Sequence, residues 1–96
     1  MSRAWPTKDP DERLDYTLNW GRELTKHNDN IFESYWSIID DDQTLTIESN
    51  GVSGHYTYVW LVGGTDKQRY TLMNRIITTD GRIYERIVSI AIQDNK

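Results

Sequence analysis

Short segments in which apolar and polar residues alternate run through most of the chain. In residues 14–20, leucine and aromatic side chains alternate with Asp15, Thr17 and Asn19. A two-residue period is typical of a β-strand that buries one face. Similar runs follow at residues 31–39, 44–49, 55–62, 70–79 and 83–92. Because no segment has a sustained 3.6-residue period, the pattern favours an all-β fold, with a helix of about one turn conceivable at residues 22–26.

Turn-forming residues separate these runs at intervals of about 10 to 15 residues. Asn50-Gly51 and Asp80-Gly81 have the composition of tight hairpin turns, and Gly63-Gly64 ends the most apolar run. Six to seven short strands with this spacing predict a single immunoglobulin-like antiparallel β-sandwich. A small β-barrel is the alternative architecture.

Two aromatic positions fit the pattern of an immunoglobulin-like sandwich. Tyr70 follows a glycine turn at the start of a late strand, where such sandwiches place a tyrosine corner. The usual buried tryptophan of these domains is predicted to be Trp36 or Trp60.

The size and composition of the chain limit how its core is held together. The 96 residues include no cysteine, so neither disulfides nor a thiolate metal site can contribute. Four Trp, six Tyr and one Phe bury large areas and offset a hydrophobic share of only 36%. We expect one domain, organised as an N-terminal arm (1–13), a β-sandwich (14–93) and a frayed tail (94–96).

Charge and hydropathy argue against two classes of partner. The formal net charge is -4, and the eleven Lys and Arg residues are scattered, so no basic stripe suggests nucleic acid. The first ten residues lack the apolar segment of a signal peptide, and no apolar run approaches the roughly 20 residues that cross a bilayer. We expect a soluble product made inside the cell, with no membrane or nucleic-acid partner.

The polar residues show no pattern typical of catalysis or metal binding. His27 and His55 lack the spacing of metal ligands and are expected to be solvated. Asp40, Asp41 and Asp42 are consecutive and no glycine follows, so they predict a charged turn rather than a calcium loop. No nucleophile motif or phosphate-binding loop occurs. The sequence therefore predicts a protein that is not an enzyme and has no cofactor or metal.

Aromatic residues at two places have both a structural and a functional interpretation. Tyr56, Tyr58 and Trp60 lie at alternate positions of the most apolar run and so share one face. That face either packs in the core or forms a platform for a protein partner or a glycan. The glycan version defines an alternative function, a carbohydrate-binding β-sandwich module. Trp5, ahead of the first strand, either folds back onto the sandwich or docks on a neighbour.

Three longer motifs follow one another along the chain. Residues 8–20 read K-D-P-D-E followed by D-Y-x-x-x-W, residues 59–64 read V-W-L-x-G-G, and residues 74–86 read N-R-I-x-T-x-D-G-R-x-x-E-R. In this order they resemble the phage fiber–tail adaptors, a family of small virion proteins of tailed phages and prophages. The resemblance covers nearly the whole chain.

The resemblance implies a non-catalytic structural protein that joins tail or connector proteins to fibers. Its partners would be other phage structural proteins, with a homo-oligomer on the particle as a further option. Its location would be the virion and, before assembly, the cytoplasm of the bacterial host. The expected contact residues lie in the arm and around the Asp80-Gly81 hairpin: Trp5, Asp9, Asp11, Glu12, Asp15, Arg82, Glu85 and Arg86.

Both proposed contact regions also have a purely structural interpretation. Asp9 and Pro10 have the form of a capped turn, with Asp9 as the cap, which could pack on its own domain. Around the hairpin, charged residues could pair with opposite charges across the strands, each pair contributing roughly 0.2–1 kcal/mol. These residues are Arg75, Arg82, Glu85 and Arg86.

Overall fold

Seven β-strands and one helical turn form two stacked sheets in a computed structural model that describes residues 3–94. The elements are β1 Arg3–Ala4, β2 Leu14–Asn19, α1 Gly21–Thr25, β3 Ile31–Ile38, β4 Leu45–Ser53, β5 Tyr56–Gly63, β6 Arg69–Thr78 and β7 Ile83–Ala91. The sheets have the orders β1-β7-β6-β3 and β2-β5-β4. Because neither sheet closes on itself, the predicted sandwich is confirmed and the barrel alternative is wrong.

The strand order is that of an immunoglobulin-type sandwich. Strands β3, β6 and β7 correspond to C, F and G of that fold, and β2, β5 and β4 correspond to B, E and D. The sheet pairs are antiparallel, except that β1 runs parallel to β7. The predicted helical turn is present as α1, directly after β2.

The alternation seen in the sequence sends one set of side chains between the sheets. Val59 and Leu61 of β5 and Leu72 of β6 are fully buried. Each such side chain contributes roughly 1.5–3 kcal/mol through burial, as an upper estimate. The main core cluster consists of Tyr16, Leu45, Val59, Leu61, Tyr70, Leu72, Val88, Ile90 and Ile92.

The buried tryptophan of the sandwich is Trp20, which is 1% exposed. Of the two predicted candidates, Trp36 does lie on strand C and packs against the core but stays partly exposed, whereas the prediction of Trp60 was wrong. Trp20 lies immediately after β2, where the chain turns into α1, and packs with Leu24 and Ile76 in a second core cluster. The alternating pattern of β2 already placed this residue on the core side.

A buried hydrogen-bond network joins the two sheets beside Trp20. The Trp20 indole N–H donates to Asn74 Oδ1 at 3.0 Å, and the Thr57 hydroxyl donates to the same oxygen at 2.6 Å. Asn74 Nδ2 donates to the carbonyl of Tyr35 at 2.9 Å and to Ser34 Oγ at 3.0 Å. The network links the end of strand B to strand F, the two strands that antibody domains join by a disulfide.

The turn predicted at Asn50-Gly51 lies three residues further along the chain. Strand β4 continues through Asn50-Gly51 to Ser53, and the hairpin turns at Gly54, whose φ is +58°. Gly51 instead leaves room for a neighbouring ring, because a Cβ there would lie 2.4 Å from the hydroxyl oxygen of Tyr58. The predicted turn at Asp80-Gly81 is confirmed, with Gly81 at φ +90°.

Tyr70 forms the predicted tyrosine corner. Its ring is buried, and its hydroxyl accepts a hydrogen bond from the backbone N–H of Thr65, five residues upstream, at 2.8 Å. The same hydroxyl donates to Asp42 Oδ2 at 2.9 Å. The last residue of the triple aspartate therefore holds this corner in place, a role that its position in a charged turn did not indicate.

The hydrogen bonds to Asp42 predict a dependence of stability on pH. Donors from the Thr44 side chain, the Thr44 backbone and Tyr70 lower the pKa of Asp42 from 3.8 to about 2. Because folding lowers this pKa, the stabilisation is fully present above pH 3.8 and is lost as the pH falls toward about 2. We expect Asp42→Asn to lower the melting temperature at neutral pH and to flatten its decline across this acidic range, measured by circular dichroism. Asp41→Asn, in the same exposed turn, should keep the wild-type slope; an unchanged slope in Asp42→Asn would contradict the assignment.

Residues of the predicted arm run along the edge of the first sheet. The Trp5 amide donates to Ser89 O at 2.9 Å, and the Lys8 amide donates to Ala91 O at 3.1 Å. At the other end of the chain, the Gln93 amide donates to Lys8 O at 2.9 Å. Residues 1, 2, 95 and 96, which belong to the predicted arm and frayed tail, lie outside the described residues. The division into arm, sandwich and tail stays a prediction.

No helix within residues 3–94 has both the length and the apolar character needed to cross a membrane.

Candidate partner-binding surfaces

The first contact region predicted from the sequence is a capped turn that packs against the sandwich. The Asp11 amide donates to Asp9 Oδ1 at 2.8 Å, and the Asp9 amide donates to Glu12 Oε1 at 2.8 Å. This arrangement resembles a capping box, except that the Asp9 side chain accepts from Asp11 rather than from Glu12, and it confirms the predicted cap. Asp9 is buried, whereas Asp11 and Glu12 are exposed. The turn thus presents two of its three carboxylates to solvent.

A buried lysine fixes this turn to the middle of the chain. Lys8 has no exposed surface, and its Nζ donates to Gly63 O at 2.7 Å and to Asp9 O at 2.9 Å. Burial lowers the pKa of Lys8, although the charges of Glu12, Asp9 and Asp11 act in the opposite direction. Sequence reasoning missed this anchor because a lysine beside two prolines is usually solvated.

Trp5 folds back onto its own domain. Its ring stacks on Tyr16 with centroids 4.7 Å apart and planes 16° from parallel. It also lies 5.7 Å from the ring of Trp36. Of the two alternatives, folding back onto the sandwich or docking on a neighbour, the structure shows the first. The Trp5 ring stays partly accessible to solvent.

The arginine at the hairpin tip is engaged within the chain. Arg82 Nη1 donates to Asp29 Oδ2 at 3.0 Å and to Asp80 Oδ2 at 3.2 Å. The Asp29 side chain is 1% exposed and also accepts a hydrogen bond from Thr79 Oγ1. Burial would raise the pKa of Asp29, but hydrogen bonds from Thr78, Thr79, the Asn30 amide and Arg82 together lower it. These contacts fix the β2–β3 loop to the Asp80-Gly81 hairpin. Nothing in the sequence indicated this role for Asp29.

Arg86 is also used internally, whereas Glu85 remains on the surface. The Arg86 guanidinium lies 4.0 Å above the Trp20 ring, donates to Glu23 Oε1 at 2.6 Å, and is 12% exposed. Glu85 faces Arg75 across the hairpin at 3.8 Å, the cross-strand pairing that the sequence suggested. Among the predicted contact residues, Asp11, Glu12, Asp15 and Glu85 are the exposed ones.

The aromatic strand faces solvent rather than the core. Beneath Tyr56, Tyr58 and Trp60, the alternate residues Thr57 and Val59 are fully buried. The core-packing interpretation of the rings was therefore wrong. Together with short neighbours they line a depression of about 440 Å³ on the outer face of the second sheet. We call it the aromatic trough; its residues are Asp15, Thr17, Ser53, Tyr56, Tyr58 and Trp60.

An ion pair lies against Trp60, one of the rings of the aromatic trough. The Arg13 guanidinium lies 4.1 Å from the centre of the Trp60 ring and pairs with the carboxylate of Glu48. Trp60 is itself directly opposite Asp15 in the strand register. The Arg13 guanidinium thus already covers the Trp60 ring, and the Glu48 carboxylate holds it there.

The outer face of the first sheet is a second exposed apolar surface. Its most exposed members are Phe32, Tyr35, Ile39 and Ile83, which are 48% to 68% exposed. Exposed apolar side chains gathered on one face of a sheet are often part of a protein-interaction surface.

Comparison with known proteins decides the family of the chain. Residues 8–91 match the family described as podophage GP4 fiber-tail adaptor protein gp77. The chain belongs to this family. The resemblance drawn from the three motifs is thereby confirmed, and the adaptor is a phage structural protein of the virion.

The remaining comparisons add information on the fold alone. No curated protein matches the adaptor. Among solved structures, it is similar to a 2,6-sialyltransferase of Photobacterium sp. JT-ISH-224, crystallised with CMP and lactose, at 16% identity and a TM-score of 0.58. The match covers 98% of the adaptor and 18% of the sialyltransferase chain.

In the adaptor, the three motifs contact one another. Lys8 of the first motif binds the carbonyl of Gly63 in the second, and Trp20 of the first contacts both Asn74 and Arg86 of the third. Much of the family resemblance therefore describes how the scaffold is held together. The exposed surfaces are where partner binding has to be sought.

Proposed function

We propose that this adaptor is a non-catalytic connector that joins tail or connector proteins of a tailed-phage particle to its fibers. The observation that carries the proposal is the family match over residues 8–91. A connector needs a rigid body and exposed faces rather than an active site. The interlocked sandwich, with one exposed apolar or aromatic face on each sheet, supports this role.

Within this proposal the predicted contact residues act in two ways. Asp11, Glu12, Asp15 and Glu85 are exposed and would meet the partner directly. The side chains that contact other parts of the chain would position the arm and the hairpin: Trp5, Asp9, Arg82 and Arg86. Further copies of the chain on the particle are part of the same proposal, as is a stage in the host cytoplasm before assembly.

Deletion of the gene from a phage that encodes the adaptor tests this function. We expect particles without the chain to keep heads and tails but to lose fibers in electron micrographs, and a plasmid copy to restore them. Mass spectrometry of complemented particles should find the chain at a fixed ratio to tail proteins. Fully fibered particles that lack the chain would overturn the proposal.

The carbohydrate-binding alternative requires accessible rings, and Tyr56, Tyr58 and Trp60 meet that requirement. The likeness to a sialyltransferase does not favour it, because at 16% identity only the fold is shared. The experiments on the aromatic trough described next include a glycan probe.

A further inference from the structure

We propose that the aromatic trough is the docking site for an arginine or lysine side chain of a protein partner. This inference rests on the proposed adaptor function and assigns one of its contact surfaces. The ligand class follows from the chemistry of the trough, which combines the faces of three aromatic rings with a carboxylate.

The carboxylate of Asp15 is available for such a contact. Asp15 is exposed at the margin of the trough, and no hydrogen bond or ion pair joins its carboxylate to another side chain in residues 3–94. Aromatic faces carry partial negative charge and attract cations, arginine above all. A carboxylate beside such faces complements a guanidinium or an ammonium group and repels anions.

The adaptor already contains one example of this interaction on the same face. Arg13 stacks on Trp60 while pairing with Glu48. Directly opposite Trp60 on β2, Asp15 offers a second carboxylate, and Tyr58 and Tyr56 continue the row of rings along β5. The rest of the trough therefore offers the same two kinds of group, aromatic rings and a carboxylate, that hold Arg13.

The neighbours of the rings favour a protein partner. On β2, Thr17 and Asn19 lie opposite Tyr58 and Tyr56; on β4, the corresponding neighbours of Trp60, Tyr58 and Tyr56 are Ser49, Gly51 and Ser53. Rigid aromatic anchors among small, hydrogen-bonding residues are the composition of antibody paratopes. The absence of a side chain at Gly51 lets the Tyr58 ring lie over β4, since a Cβ there would be 2.4 Å from its hydroxyl oxygen.

The binding chemistry can be tested on the purified chain. We would titrate it with the peptide acetyl-GRGRG-amide and with the same peptide carrying citrulline, the neutral isostere, and follow amide shifts by NMR. We expect shifts confined to the trough with the arginine peptide, and at least about fivefold weaker binding in Asp15→Asn. Asp41→Asn, which removes the same charge from an exposed turn, should bind as the wild type does. Equal shifts with the citrulline peptide, or none in the trough, would overturn the proposal.

A glycan probe separates the two classes of ligand. Maltoheptaose, a neutral oligosaccharide, is expected to leave the trough amides unshifted. If it shifts them and the arginine peptide does not, the trough is a carbohydrate site and the proposal is wrong.

Complementation of fiberless particles separates this inference from the adaptor function itself. Wild-type chain should restore fibers, whereas Asp15→Asn and Tyr56→Ser should reduce incorporation of the chain at least about fivefold. Asp41→Asn, which removes the same charge from an exposed turn outside the trough, is the matched control for Asp15→Asn and should be incorporated as the wild type is. If wild type and both trough variants restore fibers equally, the trough proposal fails and the adaptor function stands. If the wild type itself restores nothing, the adaptor function fails.

Discussion

Replacing Asn74 with alanine is expected to destabilise the fold by about 3–5 kcal/mol. The change removes one of the two acceptors of the Trp20 indole N–H, the other being Thr57 Oγ1 at 3.2 Å. It also removes the acceptor of the Thr57 hydroxyl and the donor to the Tyr35 carbonyl. These groups lie inside or between the sheets, where an unpaired donor or acceptor has no water to replace its partner. Since domains of this size have about 5–15 kcal/mol of stability in all, the change should remove a large fraction of the free energy of unfolding. Urea denaturation followed by tryptophan fluorescence measures the loss.

Asn50→Ala is the matched control for this experiment. Asn50 is exposed on β4, and its replacement should change the free energy of unfolding by no more than about 0.5 kcal/mol. A similarly small effect of Asn74→Ala would mean that the network does not hold the sheets together.

The second large effect is expected at Lys8. Lys8→Ala should reduce stability by about 2–4 kcal/mol, since it removes a buried aliphatic stem and two charged hydrogen bonds to Gly63 O and Asp9 O. Lys8→Met keeps the stem and should recover part of the loss. Hydrogen exchange should show where the stability is lost, through faster exchange at the Trp5 and Gln93 amides.

The exposed residue Lys26 provides the comparison. Lys26→Ala should leave both the free energy of unfolding and the exchange rate of the Trp5 amide near their wild-type values. If Lys8→Ala also leaves the free energy of unfolding and the Trp5 exchange rate unchanged, Lys8 does not anchor the arm to the sandwich.

The sequence predicted the sandwich well because each strand buries only one face. In β2, and at Val88 and Ile90 of β7, the apolar residues recur every second position, so the strand and its buried side could be read directly. Asn50-Gly51 misled the prediction because glycine has two uses that composition does not distinguish. One is a positive φ in a turn; the other is room for a neighbouring ring, which is its use here.

The candidate surfaces were harder to predict than the fold. Strand β5 is apolar on both faces, so periodicity could not decide whether Tyr56, Tyr58 and Trp60 or their neighbours faced the core. Charged residues near the hairpin looked like partner contacts, but Arg82 and Arg86 find carboxylates from the distant β2–β3 connection. Contacts between residues more than fifty positions apart leave no local pattern in a single sequence.

The parallel pairing of β1 with β7 determines how the domain would respond to mechanical force. A pull between residues 3 and 94 draws two parallel strands in opposite directions along their own axes. The bonds from Trp5 to Ser89, from Lys8 to Ala91 and from Gln93 to Lys8 then bear the load together, in shear, instead of opening one after another. Because forced unfolding is governed by the unfolding rate, this geometry would let a connector under tension from a moving fiber resist extension beyond what its equilibrium stability suggests.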